Sequence, residues 1–210
     1  QAAYYRGNIP AGEAAWNAVY VKALERGDEL QLAWGLNGRA EGLLNRGGEG
    51  HAEQAVALLE QALQAFSRNV DRVSNIGSYG LLALAQLRRK DAVAARLSAD
   101  AGSQLARELG VPNCYYTLIG YAGVARTYLS LWESAESGDD PSLRSLSRAA
   151  CKALTRYARV FPVGQPQALL CEGLANWLAG RQRIAILKWK KGLTAATRLD
   201  MIFDQALIYY

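Results

Sequence analysis

Four side chains could carry nucleophilic or metal-binding chemistry, and they are Cys114, Cys151, Cys171 and His51. A cysteine nucleophile needs a base beside it, so the histidine would have to meet a thiol in space. No third group that would orient the imidazole is evident, and the cysteines lie in apolar segments predicted to be buried helices. Four ligands at zinc-binding spacing are also lacking. These residues therefore predict neither a catalytic nucleophile nor a metal site.

Two adjacent aspartates, Asp139 and Asp140, resemble the start of the magnesium-binding motif of helical prenyl-chain enzymes. Such a site needs a further carboxylate one helical turn later, and that position is Leu143. Asp140 as a helix N-cap, followed by Pro141 at the first helical position, accounts for the residues more simply. We expect no enzyme activity in this chain and no cofactor.

A row of cations forms the most distinctive charge pattern. It consists of Arg144, Arg148, Lys152 and Arg156, hereafter the basic ridge. Spacing by four residues places the cations along one side of a helix. No acidic residue between 141 and 160 can pair with them inside that helix. Three interpretations stay open: a solvated face, ion pairs to Glu133, Glu136 or a neighbouring repeat, and a surface for an acidic partner or phosphate.

A second group of cations surrounds Trp189, and its members are Arg181, Arg183, Lys188, Lys190 and Lys191. Basic residues interleaved with an aromatic ring can follow a nucleic-acid backbone. Trp189, however, falls at an inward position of the predicted repeat, where an indole cannot stack on a base. The sequence therefore disfavours a nucleic-acid partner, although residues 141–210 hold 11 Lys/Arg against 3 Asp/Glu.

The elements that carry these residues are predicted to be helices. Straight-chain residues and alanine dominate, prolines number only five, and no strand-like alternation is present. No apolar run is long enough to cross a membrane. The predicted helices span residues 11–26, 29–45, 51–66, 71–89, 91–109, 113–135, 141–160, 166–179, 182–198 and 201–210.

A helix–turn–helix unit recurs along the chain. Its small residue is repeated at Ala15, Ala55, Ala94, Ala150 and Ala185, at steps of 35 to 56 residues. A unit of about 34 residues is the period of tetratricopeptide (TPR) repeats. We therefore predict an all-α, TPR-like α-solenoid of about five antiparallel helix pairs in a right-handed superhelix. It would form a single domain over residues 1–210, with an irregularity at the polar stretch 133–141.

Aromatic residues divide between the predicted core and the predicted concave groove. Tyr121, Tyr128 and Trp132 share one helical stripe and are expected in the core. TPR grooves bind peptides through the first helix of each pair, and the positions on that face are Asn75, Tyr79, Tyr116 and Arg126.

Two blocks, residues 33–63 and 161–193, resemble a known family. They are similar to the C-terminal helical regions of bacterial multidomain signalling proteins, which carry an ATPase module and often an adenylate/guanylate cyclase domain. The resemblance implies a TPR-like region of a larger protein. No phosphate-binding Gly-x-x-x-x-Gly-Lys-Ser/Thr loop is present, so the catalytic activities of the family do not transfer to this chain.

The expected function is a non-catalytic scaffold for protein–protein or interdomain interaction. Its partner would be a protein or peptide, which could be another domain of the same polypeptide. The alternative is a regulatory or sensor domain of a signalling protein such as a nucleotide cyclase, which binds a small molecule or relays a conformational signal. Unpaired cysteines without a Cys-x-x-Cys motif predict a reducing, cytoplasmic location.

Overall fold

The computed structural model describes residues 1–68, 71–135 and 140–209, and every regular element in these ranges is helical. The α-helices are α1 (Ala2–Tyr5), α2 (Ile9–Arg26), α3 (Glu29–Arg46), α4 (His51–Arg68), α5 (Arg72–Arg88), α6 (Ala92–Leu109), α7 (Leu118–Glu133), α8 (Pro141–Val160), α9 (Gln165–Leu178), α10 (Gln182–Arg198) and α11 (Ile202–Tyr209). Two 3₁₀ turns, Tyr115–Thr117 and Pro162–Gly164, precede α7 and α9. The prediction of an all-helical chain is confirmed.

The predicted helices all occur, and the structure differs from the prediction in two places. The short helix α1 lies in a segment for which no helix was predicted. Helix α7 begins later than position 113, because Cys114 is extended and the chain then forms the 3₁₀ turn. The Thr117 hydroxyl donates to the Cys114 carbonyl at 2.8 Å and stabilises this turn. The predicted irregularity at 133–141 lies partly outside the described residues, and Asp139 lies wholly outside them.

Short polar side chains set several helix starts. The residues that cap a helix N-terminus by accepting a backbone N–H bond are Asn8, Asp28, Asp71, Asp91 and Asp140. Asp140 accepts from Ser142 N and Leu143 N, which is the capping role predicted for it.

The helices form two rows. Each helix from α2 to α11 packs on its neighbour in sequence, which confirms the predicted packed helix pairs. The odd-numbered helices α3, α5, α7, α9 and α11 also contact one another in turn, so they form an inner row. Helix α1 contacts both α2 and α11. The inner row therefore curves far enough to bring the two ends of the described chain together.

Glycines allow the closest approach in the inner row, between α5 and α7. A Cβ atom on Gly80 would lie 2.5 Å from the Cα atom of Gly120, and one on Gly123 would overlap the Gly80 carbonyl group. Real Cβ atoms essentially never come this close, so the two backbones touch only because these positions lack side chains.

The core centres on α7. Tyr121, Tyr128 and Trp132 are buried there, as their shared stripe predicted. The thiols of Cys151 and Cys171 are also buried, whereas Cys114 is only half-buried because it lies before the 3₁₀ turn instead of inside a helix. Among the described residues, no helix combines the length and apolar character needed to span a membrane.

Candidate functional site

Aromatic side chains from separate elements converge on the surface formed by the inner row, hereafter the inner face. Trp16 of α2, Trp34 of α3 and the adjacent Tyr115 and Tyr116 line a cavity of about 440 Å³, hereafter the aromatic cavity. Asn37 and Ser74 supply polar groups in the same lining. Tyr115 is 61% exposed and Trp34 is 37% exposed, so aromatic surface is accessible at the mouth. The volume lies within the roughly 300–1,000 Å³ range of ligand pockets.

A buried carboxylate faces this aromatic lining. Glu41 lies on α3 one helical turn after Asn37, and it is only 4% exposed. Burial raises its pKa from 4.5 to about 7, the amino group of Gln1 partly offsets this rise, and no hydrogen bond from the described residues contributes. The indole N–H of Trp16 is buried without an acceptor among the described residues. A bound cation beside Glu41 would relieve the cost of its burial.

A second cavity adjoins the first and shares Glu41, Leu81 and Ile119 with it. This polar cavity measures about 230 Å³ and lies between α1, α3, α5, α7, α9 and α11. Asp204 is buried there and accepts a hydrogen bond from Gln167. Burial raises the pKa of Asp204 from 3.8 to about 6. Arg88 and Arg126 also line this polar cavity, so its charges are mixed, whereas Glu41 is the one charged side chain among the described residues that line the aromatic cavity.

Helix α1 shows how this face accommodates a short helical segment. Tyr4 is almost fully buried, and its hydroxyl donates to the Gly38 carbonyl at 3.0 Å. The Gln1 side chain donates to the Tyr116 carbonyl at 3.1 Å. Gly42 leaves room for the phenol, because a Cβ there would lie 2.6 Å from the Tyr4 hydroxyl oxygen. An aromatic side chain carried by a helical turn thus fits the inner face.

The four predicted groove residues do not come together. Tyr116 lines the aromatic cavity and Arg126 lines the polar cavity, so both reach the inner face. Asn75 and Tyr79 instead line an open cleft formed by α4, α5 and α6. Helical position alone did not distinguish the two sides of α5, because that helix contacts both the inner row and α4 and α6.

The basic ridge follows the outer side of α8. Arg148, Lys152 and Arg156 are exposed, and Arg144 is half-buried. Salt bridges between described residues involve none of the three exposed cations. Lys152 and Arg156 border a cleft that also contains Arg107 of α6. Three basic side chains from two helices therefore surround one surface feature.

Sequence reasoning missed Glu41, Trp16 and Asp204 as members of the inner-face site. Glu41 is an acidic residue amid the small and apolar residues of α3, which is the one available signal of burial. Trp16 and Asp204 carry no comparable signal, because their proximity to the cavities depends on the curvature of the inner row.

Comparison with known proteins adds no assignment: the chain matches no family model, no curated protein and no solved structure. In the described part of the chain, no three His, Cys, Asp or Glu residues are grouped so that they could hold a metal ion.

Proposed function

We propose that the chain is a non-catalytic interaction scaffold, a TPR-like right-handed solenoid whose inner face binds a basic segment of a protein partner. The supporting observation is that buried Glu41 lines the same cavity as the accessible rings of Trp34 and Tyr115. The segment would come from another protein or from another domain of the same polypeptide.

A lysine or arginine side chain suits this arrangement. Its aliphatic stem would lie against the aromatic rings, and its cation would reach the Glu41 carboxylate. A charge-assisted hydrogen bond in a water-poor site is stronger than one on the surface. The seating of α1 supports the same mode, because it places a helical turn and the buried aromatic side chain of Tyr4 on this face.

Selecting the peptides that bind this protein from a displayed library of short peptides tests the proposal. We expect lysine or arginine to be enriched at one position of the peptides that bind. Affinity of a selected peptide, measured by fluorescence anisotropy, should fall about thirtyfold or more in Glu41→Gln, since truncating one partner of a buried charge pair costs about 2 kcal/mol or more. Glu60→Gln, which neutralises an exposed carboxylate on α4, is the matched control.

The pH dependence gives an independent check. Burial sets the pKa of Glu41 at about 7 in the free protein, so the carboxylate takes up a proton as the pH falls from 8 to 5. A cationic peptide should bind more weakly at pH 5 than at pH 8, and Glu41→Gln should abolish this difference. Selection of peptides without a preferred cation, or equal affinity for wild type and Glu41→Gln, would contradict the proposal.

A second candidate function, a small-molecule sensor, is favoured by the polar cavity. Its lining includes the Tyr5 hydroxyl and the Gln167 side-chain oxygen, both buried and without partners among the described residues. A small polar ligand could satisfy these atoms and would raise the melting temperature by mass action. A metabolite panel in a thermal-shift assay tests this function. Asp204→Asn should abolish the rise in melting temperature caused by the ligand and should leave the affinity of the aromatic cavity for the peptide unchanged.

The resemblance to the helical regions of bacterial signalling proteins supports both candidates. In such proteins a helical module would pass a binding signal to an attached catalytic domain. Determining the coding sequence that flanks this chain, and testing any adjacent cyclase or ATPase for a response to the selected peptide, would test that role.

A further inference from the structure

The basic ridge borders an apolar cleft on the outer side of the molecule. The cleft measures about 210 Å³ and lies between α6 and α8, with α5 and α7 as its floor. Ala106, Ala149 and Ala153 form its walls, and Val124 and Tyr121 form part of its floor. Hereafter this feature is the basic cleft.

Positive charge is concentrated at the edge of the basic cleft. Arg107 approaches from α6, and Lys152 and Arg156 approach from α8. Among the described residues that line the cleft, none is an aspartate or a glutamate. Arg148 extends the row by another turn, so the cations from position 148 to position 156 span about 12 Å along α8. An occupant would therefore need negative charges in a row beside an apolar group.

The volume of the cleft suits a side chain of a larger partner. At about 210 Å³ the cleft is smaller than the roughly 300–1,000 Å³ of pockets that enclose a drug-sized ligand. It is suited to one or two apolar anchor side chains of a larger partner, which is how interface pockets are usually filled. Carboxylates at four-residue spacing on a helix would match the four-residue spacing of the cations.

From these features we propose that the basic cleft docks an acidic amphipathic helix of a protein partner. The apolar anchor would enter between α6 and α8, and its flanking carboxylates would pair with Lys152, Arg156 and Arg107. This surface lies apart from the aromatic cavity and has the opposite charge preference. It would let the scaffold hold two partners, or two segments of one partner, at once.

A labelled helical peptide of about 18 residues provides the probe. It carries glutamates at three successive four-residue positions and leucines on the adjacent stripe. We expect anisotropy to show saturable binding that weakens as salt is raised. The double variant Lys152→Glu/Arg156→Glu should lower affinity at least about tenfold, because like charges then face each other. Lys190→Glu/Lys191→Glu, which reverses two exposed cations on α10, should change it by less than about twofold.

Two further variants test the apolar anchor. Replacing the peptide leucines by alanine should weaken binding about tenfold, and Ala153→Phe should block the cleft. The peptide substitution gives a result even if Ala153→Phe does not fold. The proposal would be overturned if the peptide did not bind at low salt, or if the α10 control lost as much affinity as the α8 double variant. It would also be overturned if the peptide without leucines bound with the same affinity. Stabilisation by octanoate alone would assign the cleft to a free amphiphile and would also overturn it.

Discussion

Replacing Glu41 by glutamine should change how the stability of the protein depends on pH. Glutamine keeps the shape of the protonated side chain and cannot ionise. Glu41 is only 4% exposed, so the folded protein must transfer a charge into a desolvated site whenever this carboxyl loses its proton. Wild type should bear that cost at neutral and alkaline pH, and the variant should not.

The size and direction follow from the pKa of Glu41. Burial raises this pKa from 4.5 to about 7, so between these values the folded protein holds a proton that the unfolded chain has released. Stability therefore falls as the pH rises through this window and is level above it. At about 1.4 kcal/mol per pH unit, the loss amounts to roughly 3 kcal/mol.

Urea unfolding at a series of pH values from 4 to 9 measures the effect. At pH 8 Glu41→Gln should exceed wild type in free energy of unfolding by up to roughly 3 kcal/mol, and near pH 4 the two should agree. Subtracting the two profiles isolates Glu41 from Asp204, whose raised pKa contributes a slope of the same sign. Glu60→Gln should follow wild type throughout. Parallel profiles for wild type and Glu41→Gln would refute the assignment of Glu41 as a carboxylate whose pKa is raised by burial.

Two further predictions concern packing and thiol reactivity. Gly80→Ala should lower the free energy of unfolding by about 2 kcal/mol or more, because its Cβ would collide with the α7 backbone. Gly77→Ala, whose Cβ would meet only an ordinary contact at 3.9 Å, should be neutral or slightly stabilising, and equal effects in thermal melts would contradict the close crossing. Burial raises the pKa of Cys171 to about 12 and also raises that of Cys151. In the native protein Ellman's reagent should therefore modify Cys114 first and the other two only on unfolding; rapid release of three thiols would be inconsistent with this core.

Helix positions were predictable because their signals are local. Asp140 and Pro141 together specify a helix start. The helical spacing of aromatic and small residues specifies which stripe of a helix is buried. The late start of α7 was missed because Cys114 and the 3₁₀ turn after it belong to an apolar stretch that differs little from a helix in pattern.

The candidate sites were only partly predictable. The basic ridge could be read from four-residue spacing, since those residues share one helix. The sequence does not reveal that Lys152 and Arg156 line the same apolar cleft as Arg107, because Arg107 belongs to a different helix. In the same way, the position of Tyr79 on its helix predicts a groove residue, but α5 has neighbours on both sides and Tyr79 lines a different cleft.

Composition and periodicity by themselves determined that this protein is helical, that its helices pack as successive pairs, and that Tyr121, Tyr128 and Trp132 belong to its core. These properties depend on contacts between residues that are close in sequence. The tertiary structure alone decided that the inner row curves until α1 meets α11, and that Trp16, Trp34 and Glu41 share one cavity. Curvature is the sum of small displacements at each helix crossing, such as the one Gly80 permits, and no local pattern encodes that sum.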